Sequence, residues 1–381
     1  MSLKIIEIIY NGRRRASKFT SFISSNFIQK LLLFIKINSY PNNYFLYIFN
    51  KMNEMKEPSE TSFKLERAKI NEIISKDGEY NENDVMIKKW EGDNKSGYYL
   101  AQISKEETQF TGILNNNFER DGYGFYRFQN GDHYFGMFKN DERNFNGFYI
   151  WPPTQNEDGK SHSESYHGFW KDNKKNKYGV YLWLDEDEDN EEFDNANFQA
   201  FSGELDGNNF KKGTFLRKDG DNYYVYHGNF TPDGKKNDEK AFFYSSSLDR
   251  LFHGKIENNI FVSGYIVYFD SDSGEVQDYA YCEFENNEVI KTTIKEDINE
   301  EEVKPELDEN ILFRNVILET DFFGAIYNTY KDTLKFIKDN MGELDIFEDQ
   351  EKFPSLMKTA VAYNKENIYF EIEEKVFGIK V

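Results

Sequence analysis

Along most of the chain, apolar and polar residues alternate in short runs, and the runs recur. A frame of aromatic, any residue, Gly, any residue, apolar occurs at Phe110-Thr-Gly112-Ile-Leu114, Tyr134-Phe-Gly136-Met-Phe138 and Tyr166-His-Gly168-Phe-Trp170. It returns at Phe201-Ser-Gly203-Glu-Leu205, Tyr226-His-Gly228-Asn-Phe230 and Phe252-His-Gly254-Lys-Ile256. A second run follows each frame: Gly124-Phe-Tyr126-Arg-Phe128, Gly147-Phe-Tyr149-Ile-Trp151, Gly179-Val-Tyr181-Leu-Trp183, Gly213-Thr-Phe215 and Gly264-Tyr-Ile-Val-Tyr268, with Ala241 in the glycine place before Phe243 in the fifth unit. A period of two is the strand period, and Asn130-Gly131, Asp206-Gly207 and Asp219-Gly220 supply turn dipeptides between runs. The pattern predicts tandem hairpins. Places 1, 3 and 5 of the first strand share a face, so glycine at place 3 leaves a gap in which the rings at places 1 and 5 lean together. Gly112, Gly136, Gly168, Gly203, Gly228 and Gly254 are therefore expected to be structural.

Six such units in register resemble MORN repeats over residues 110–270. The resemblance implies a mainly β fold: an elongated, single-layer antiparallel β-meander of repeated hairpins, used as an assembly or docking module. Phe145, Lys177 and Ala241 stand where that pattern has a small residue, so irregular turns are expected there. Degenerate capping hairpins are expected around Trp90-Glu-Gly92 with Gly97-Tyr98-Tyr99, and from Tyr279 to Phe284.

The array is expected over 85–292, with insertions at Pro152 to Ser165 and Leu184 to Ala200. Residues 54–84 are charged and suit a linker or short helix, and 293–310 an acidic linker containing Pro305. Over 311–381 a smaller, mainly helical segment is expected: Phe322, Ile326, Tyr330, Leu334 and Ile337 fall at helical spacing, between Thr320 as cap and Gly342 as stop.

Composition sharpens this picture. Aromatic residues make up 17% of the chain, a bias that suits strands. Cys282 is the single cysteine, which excludes an internal disulfide framework and a thiolate-rich metal site and points to the cytoplasm. The net charge of −21 opposes binding to nucleic-acid phosphates. Residues 1–53 depart from it, with eight Lys or Arg against Glu7, about +7, leaving about −28 for the remainder. This basic leader fits an upstream extension or disordered tail, a mitochondrial transit peptide, or a functional basic arm. Lys30 and Lys36 bracket its short apolar stretch, so no membrane helix is expected.

Motifs for chemistry are weak. A calcium loop starting at Asp185 meets Asn190 and Ala196 where Gly and Glu are needed, and one starting at Asp270 has Gly274 a place early and Tyr281 at its end. His167, His227 and His253 share place 2 of their units, but only the last two are expected to be neighbours. There is no phosphate-binding loop, nucleophile elbow, kinase signature or zinc-hydrolase motif. The expectation is a non-enzymatic scaffold without cofactor or metal, docking protein partners; the resemblance places it in the cytoskeleton or a cilium. A lipid-associated, membrane-recruiting module and a subunit of a mitochondrial assembly are the alternatives. Direct membrane binding would have to come through the basic leader, since the array is acidic. The docking face is expected at Phe135, Met137, Phe148, Ile150, Phe169, Val180 and Leu182, which alternate away from the main aromatic rows. Either the chain's own Phe322 to Ile337 stripe or a partner should cover them. Equivalent later places, Ser202, Glu204, His227, Asn229 and Lys255, are largely polar and suit contact with water.

Overall fold

The computed structural model describes residues 79–82, 85–89, 97–105, 107–155, 161–186, 197–270, 273–319 and 368–379, with a handful of helical positions between 326 and 358. The six units occupy β4 (Thr108–Leu114) with β5 (Arg120–Arg127), β6 (His133–Lys139) with β7 (Glu142–Gln155), and β8 (Ser161–Lys171) with β9 (Lys174–Glu186). They continue in β10 (Asn197–Asp206) with β11 (Asn209–Asp219), β12 (Asn222–Asn229) with β13 (Asp238–Ser245), and β14 (Arg250–Glu257) with β15 (Ile260–Phe269). Before them come β1 (Glu79–Glu82), β2 (Val85–Lys89) and β3 (Tyr99–Lys105); after them, β16 (Val276–Glu285) and β17 (Glu288–Ile294). All belong to one 17-stranded antiparallel sheet in which every strand pairs with its neighbours in sequence. The sheet is open, with β1 and β17 at its edges. At about 4.8 Å between strands it measures roughly 75 Å along its curve.

A row of small residues crosses the sheet at right angles to the strands. Ala101 pairs with Gly112, and pairing continues through Gly124, Gly136, Gly147, Gly168, Gly179, Gly203, Gly213 and Gly228. On β13 it resumes with Ala241 and continues through Gly254, Gly264 and Cys282. The place-1 ring of each unit lies over this row. A Cβ at Gly112 would meet Phe110 Cζ at 2.7 Å, and Cβ atoms at both Gly136 and Gly147 would strike Tyr134. The ring's far edge meets the place-5 side chain, as in Tyr134–Phe138 (5.0 Å, 81°), Tyr166–Trp170 (5.2 Å, 85°) and Tyr226–Phe230 (5.1 Å, 79°). In these three units the tyrosine hydroxyl reaches past the glycine and donates to the backbone carbonyl of place 4, at Met137, Phe169 and Asn229. The expected leaning together of rings is thus a ring folded over paired glycines.

Near the start of the second strands, buried cations roof this ring face. Arg120 lies over Tyr126 and Phe138, Arg143 over Tyr149 and Trp170, Lys175 over Trp151 and Tyr181, and Lys236 over Phe215, Tyr226 and Phe243. Burial pulls the Lys236 ammonium down to about 8, with Arg217 adding to the effect. In units four and six, Phe210 and Phe261 do the roofing instead, against Phe201 and Phe252.

Tight turns with both residues at positive φ close several hairpins: Asn140-Asp141, Asp172-Asn173, Asn258-Asn259 and Asn286-Asn287. They also stitch neighbouring units. Asp141 Oδ1 accepts from the Arg120 backbone N (2.8 Å), Asn173 Oδ1 from Arg143 N (2.8 Å), Asn259 Oδ1 from Lys236 N (2.8 Å) and Asn287 Oδ1 from Phe261 N (2.8 Å). Phe145 and Lys177 sit in the left-handed region (φ 60° and 58°), where the irregularities were expected.

The insertions are described only in part. Their described residues lengthen strands, β7 to Gln155 and β10 from Asn197; the Pro152-Pro153 pair falls at a register shift between Trp151 and Thr154, where a missing N–H is tolerated. Residues 156–160 and 187–196, with most of the acidic run at 185–194, lie outside the described residues. So do Trp90 to Gly92, the leader 1–53 and residues 54–78 of the expected linker, whose last part, 79–82, is instead strand β1. The acidic linker is corrected too. β17 ends at Ile294, and a helix, α1 (Glu300–Glu319), begins inside the expected linker. Asn299 Oδ1 caps it by accepting from Glu301 N (3.2 Å), three glutamates occupy its first turn, and Pro305 lies on its exposed side. A further helix, α2 (Ile368–Lys375), lies within the segment expected to be mainly helical.

Candidate functional site

The sheet face opposite the rings is the one that the helical segment covers. One buried cluster joins Leu100, Phe135, Phe148, Leu182, Leu216, Val225, Phe242, Leu251 and Val267 of the sheet to Val303, Phe313, Val316, Ile326, Tyr330, Met357, Ile372 and Val376. Two polar nodes fix the cover. Arg314 of α1 forms a two-pronged ion pair with Asp249, Nε–Oδ1 2.8 Å and Nη2–Oδ2 2.6 Å, while its guanidinium stacks over Phe269. Tyr244 Oη also donates to Asp249 (2.9 Å). Beside this node Phe313 stacks on Phe242 (4.5 Å, 13°), which stacks in turn on His253 (4.0 Å, 13°).

The second node ties α2 to β10, β11 and β12. Glu373 Oε1 accepts from Lys212 Nζ (2.6 Å) and from His227 Nε2 (3.1 Å), and Tyr369 Oη donates to Glu204 Oε1 (3.0 Å). His227 Nδ1 faces Thr214 Oγ1 at 2.9 Å. Burial, opposed in part by the Glu373 carboxylate, holds the imidazole below its ordinary pKa. Burial also pushes Glu373 up, but the bonds from His227 and Lys212 outweigh it and hold the carboxyl below its ordinary value. The two shifts agree on one state: neutral His227 donating through Nε2 to ionised Glu373 and accepting from Thr214 through Nδ1.

Thr214, His227 and Glu373 thus stand in the order of a hydroxyl, an imidazole and an acid, the order of a hydrolytic triad. Thr214 is, however, wholly buried beneath the cover. What the contacts show is α2 tied through Glu373 to Lys212 of β11 and His227 of β12.

No family model and no curated protein matches the chain.

Of the seven residues expected to form a docking face, the structure brings Phe135, Phe148 and Leu182 into the covered cluster, with Tyr330 6.4 Å from Phe148. The chain itself therefore covers these three, and an outside partner meets them only by displacing the cover. Met137, Ile150, Phe169 and Val180 remain half-buried. The helical stripe expected as their mate is present through Ile326 and Tyr330; Thr320, Phe322, Leu334, Ile337 and Gly342 lie outside the described residues. The expectation of a watery face in the later units is corrected. Ser202 and His227 are fully buried there, because α2 spans units four and five and the intervening second strands bring Leu216 and Phe242 to the same face.

His227 and His253 pair from either side with Phe242 and so lie two strands apart, while His167 packs on Phe148. No cluster of His, Cys, Asp or Glu suited to a metal occurs among the described residues. Asp270 is part of a hairpin turn: Gly274 N donates to Asp270 O (2.8 Å) and Ser273 N to Asp270 Oδ1 (2.8 Å). Among the described residues no helix is long and apolar enough to cross a membrane. On the ring face, Tyr149 Oη donates to Asp132 and Tyr181 Oη to Glu164 (3.0 Å), two buried acid–phenol pairs that repeat between units two and three. A cleft of about 210 Å³ at the far strand ends is lined by His162, Trp183, Gln199 and Arg217, among others.

Proposed function

We propose that the chain is a non-enzymatic scaffold of the MORN-repeat kind that docks protein partners within a larger assembly. One observation carries this reading: around units one to three, packed against the margin of the covered cluster, an apolar strip is only partly buried. Tyr123 is opposite Met137 and Phe125 opposite Phe135, whose rings stack at 4.6 Å, with Ile150, Phe169 and Val180 along the same face. A contiguous apolar strip on a sheet suits a partner that lays down its own apolar side chains. The repeat resemblance directs this role to the cytoskeleton or a cilium. A lipid-binding role finds less support, since the acidic array repels anionic headgroups.

Affinity capture from the native cell, with Phe125→Asp plus Ile150→Asp as the comparison, tests the reading. The intact protein should retain a defined set of proteins that the double variant loses while its circular dichroism still reports the folded sheet. Capture of the same set by both would contradict the docking strip, and co-sedimentation with anionic vesicles independent of residues 1–53 would favour the lipid reading.

A further inference from the structure

A carboxylate sealed between a helix and a sheet is an unusual fastener, because apolar residues of the same volume hold such a joint as well or better. Glu373 is only 3% exposed in its side chain and His227 2%, and the two meet with Lys212 between α2 and the sheet. Around them the cover is apolar: Ile372 of α2, Val376 just after it, and the rings of Phe313 (6.3 Å) and Phe377 (5.6 Å) against His227. We propose that α2 is an acid-releasable latch, in which the Lys212–Glu373–His227 node holds the helix on β11 and β12 and protonation of the node frees it, baring the sheet face beneath. This goes beyond the docking role proposed above and does not depend on it.

The groups facing the node come from every packed element. β9 brings Tyr178, β10 Glu204 with Lys211 beside it, β11 Lys212 and Thr214, and β12 His227; Asp238 at the start of β13 acts on His227 at longer range. α2 brings Glu373 and Tyr369, and its Glu371–Lys375 pair lies further out; α1 meets His227 with the uncharged ring of Phe313. When His227 takes a proton, Nδ1 no longer accepts from Thr214, and a second cation is sealed beside Lys212. Both shifts have the same sign. A depressed His and a depressed Glu each favour the docked state above their ordinary values, 6.5 and 4.5, and lose that contribution as pH falls below them. Release therefore begins below neutrality with His227 and completes with Glu373.

Amide hydrogen exchange of the full chain, corrected for the intrinsic pH dependence of exchange, reads the latch directly. Protection of 368–376 should fall roughly tenfold between about pH 7 and pH 5, while β10 to β13 stay protected. His227→Gln keeps a donor towards Glu373 but does not titrate, so it should hold protection at both values. Glu373→Gln should lose it already at pH 7; if that variant does not fold, Lys212→Met should show the same loss. The latch is overturned if α2 stays protected at pH 5, if the sheet strands open together with it, or if His227→Gln loses protection as the unaltered chain does.

Discussion

At the scale of single residues, the glycine row carries the fold's tightest constraint. Gly147 faces the ring and hydroxyl of Tyr134, whereas Gly207 has nothing within 4 Å but sits at φ 61°. Gly147→Val must expel a buried tyrosine and should cost at least about 3 kcal/mol, while Gly207→Ala suffers only backbone strain of about 1 kcal/mol. Urea unfolding of the two variants measures both, and equal losses would remove the special status of the row. The frame of six glycines was visible in the sequence because place 3 is fixed by the strand period. The roofing cations were not. Arg120, Arg143 and Lys175 stand four residues before a second-strand glycine, a recurrence that is legible afterwards, but Arg and Lys in a hairpin are ordinarily taken as solvated. Only the register places their stems over rings.

Among the elements, the hairpins and the helical character of the C-terminal segment followed from local signals, while the early start of α1 did not. α1 was hidden by its own acids and by Pro305, which resemble a linker, although Asn299 followed by Glu300 to Glu302 is a helix start. The node at Glu373 was out of reach altogether, since it joins residues 146 apart in the chain. The α1 joint has a pH signature of its own. His253, stacked on Phe242, is driven down to about 4 by burial, with Lys240 adding to the effect. Its folded value lies below the ordinary 6.5, so it favours folding fully above 6.5 and loses that contribution as pH falls from there toward about 4. Stability measured across this interval should decline less steeply in His253→Gln. An unaltered slope would mean that His253 is not buried as neutral imidazole.

For the whole molecule, the two faces are finished in different ways. The ring face is closed by its own side chains, and the opposite face by a segment that enters after the last strand. Removing residues 300–381 should therefore leave the hairpin pattern intact by circular dichroism but bare Phe242, Leu216 and Val225, seen as new dye binding and concentration-dependent association. A truncated chain that stays monomeric and binds no dye would show that the sheet needs no cover. The most direct test of that cover is a double-mutant cycle on its best-defined contact, the pair of Arg314 with Asp249. With Arg314→Met and Asp249→Asn, singly and together, unfolding in urea should give a coupling energy of about 1–3 kcal/mol. Strictly additive losses, with no coupling, would contradict the seating of α1 on the sheet and with it the account of this face.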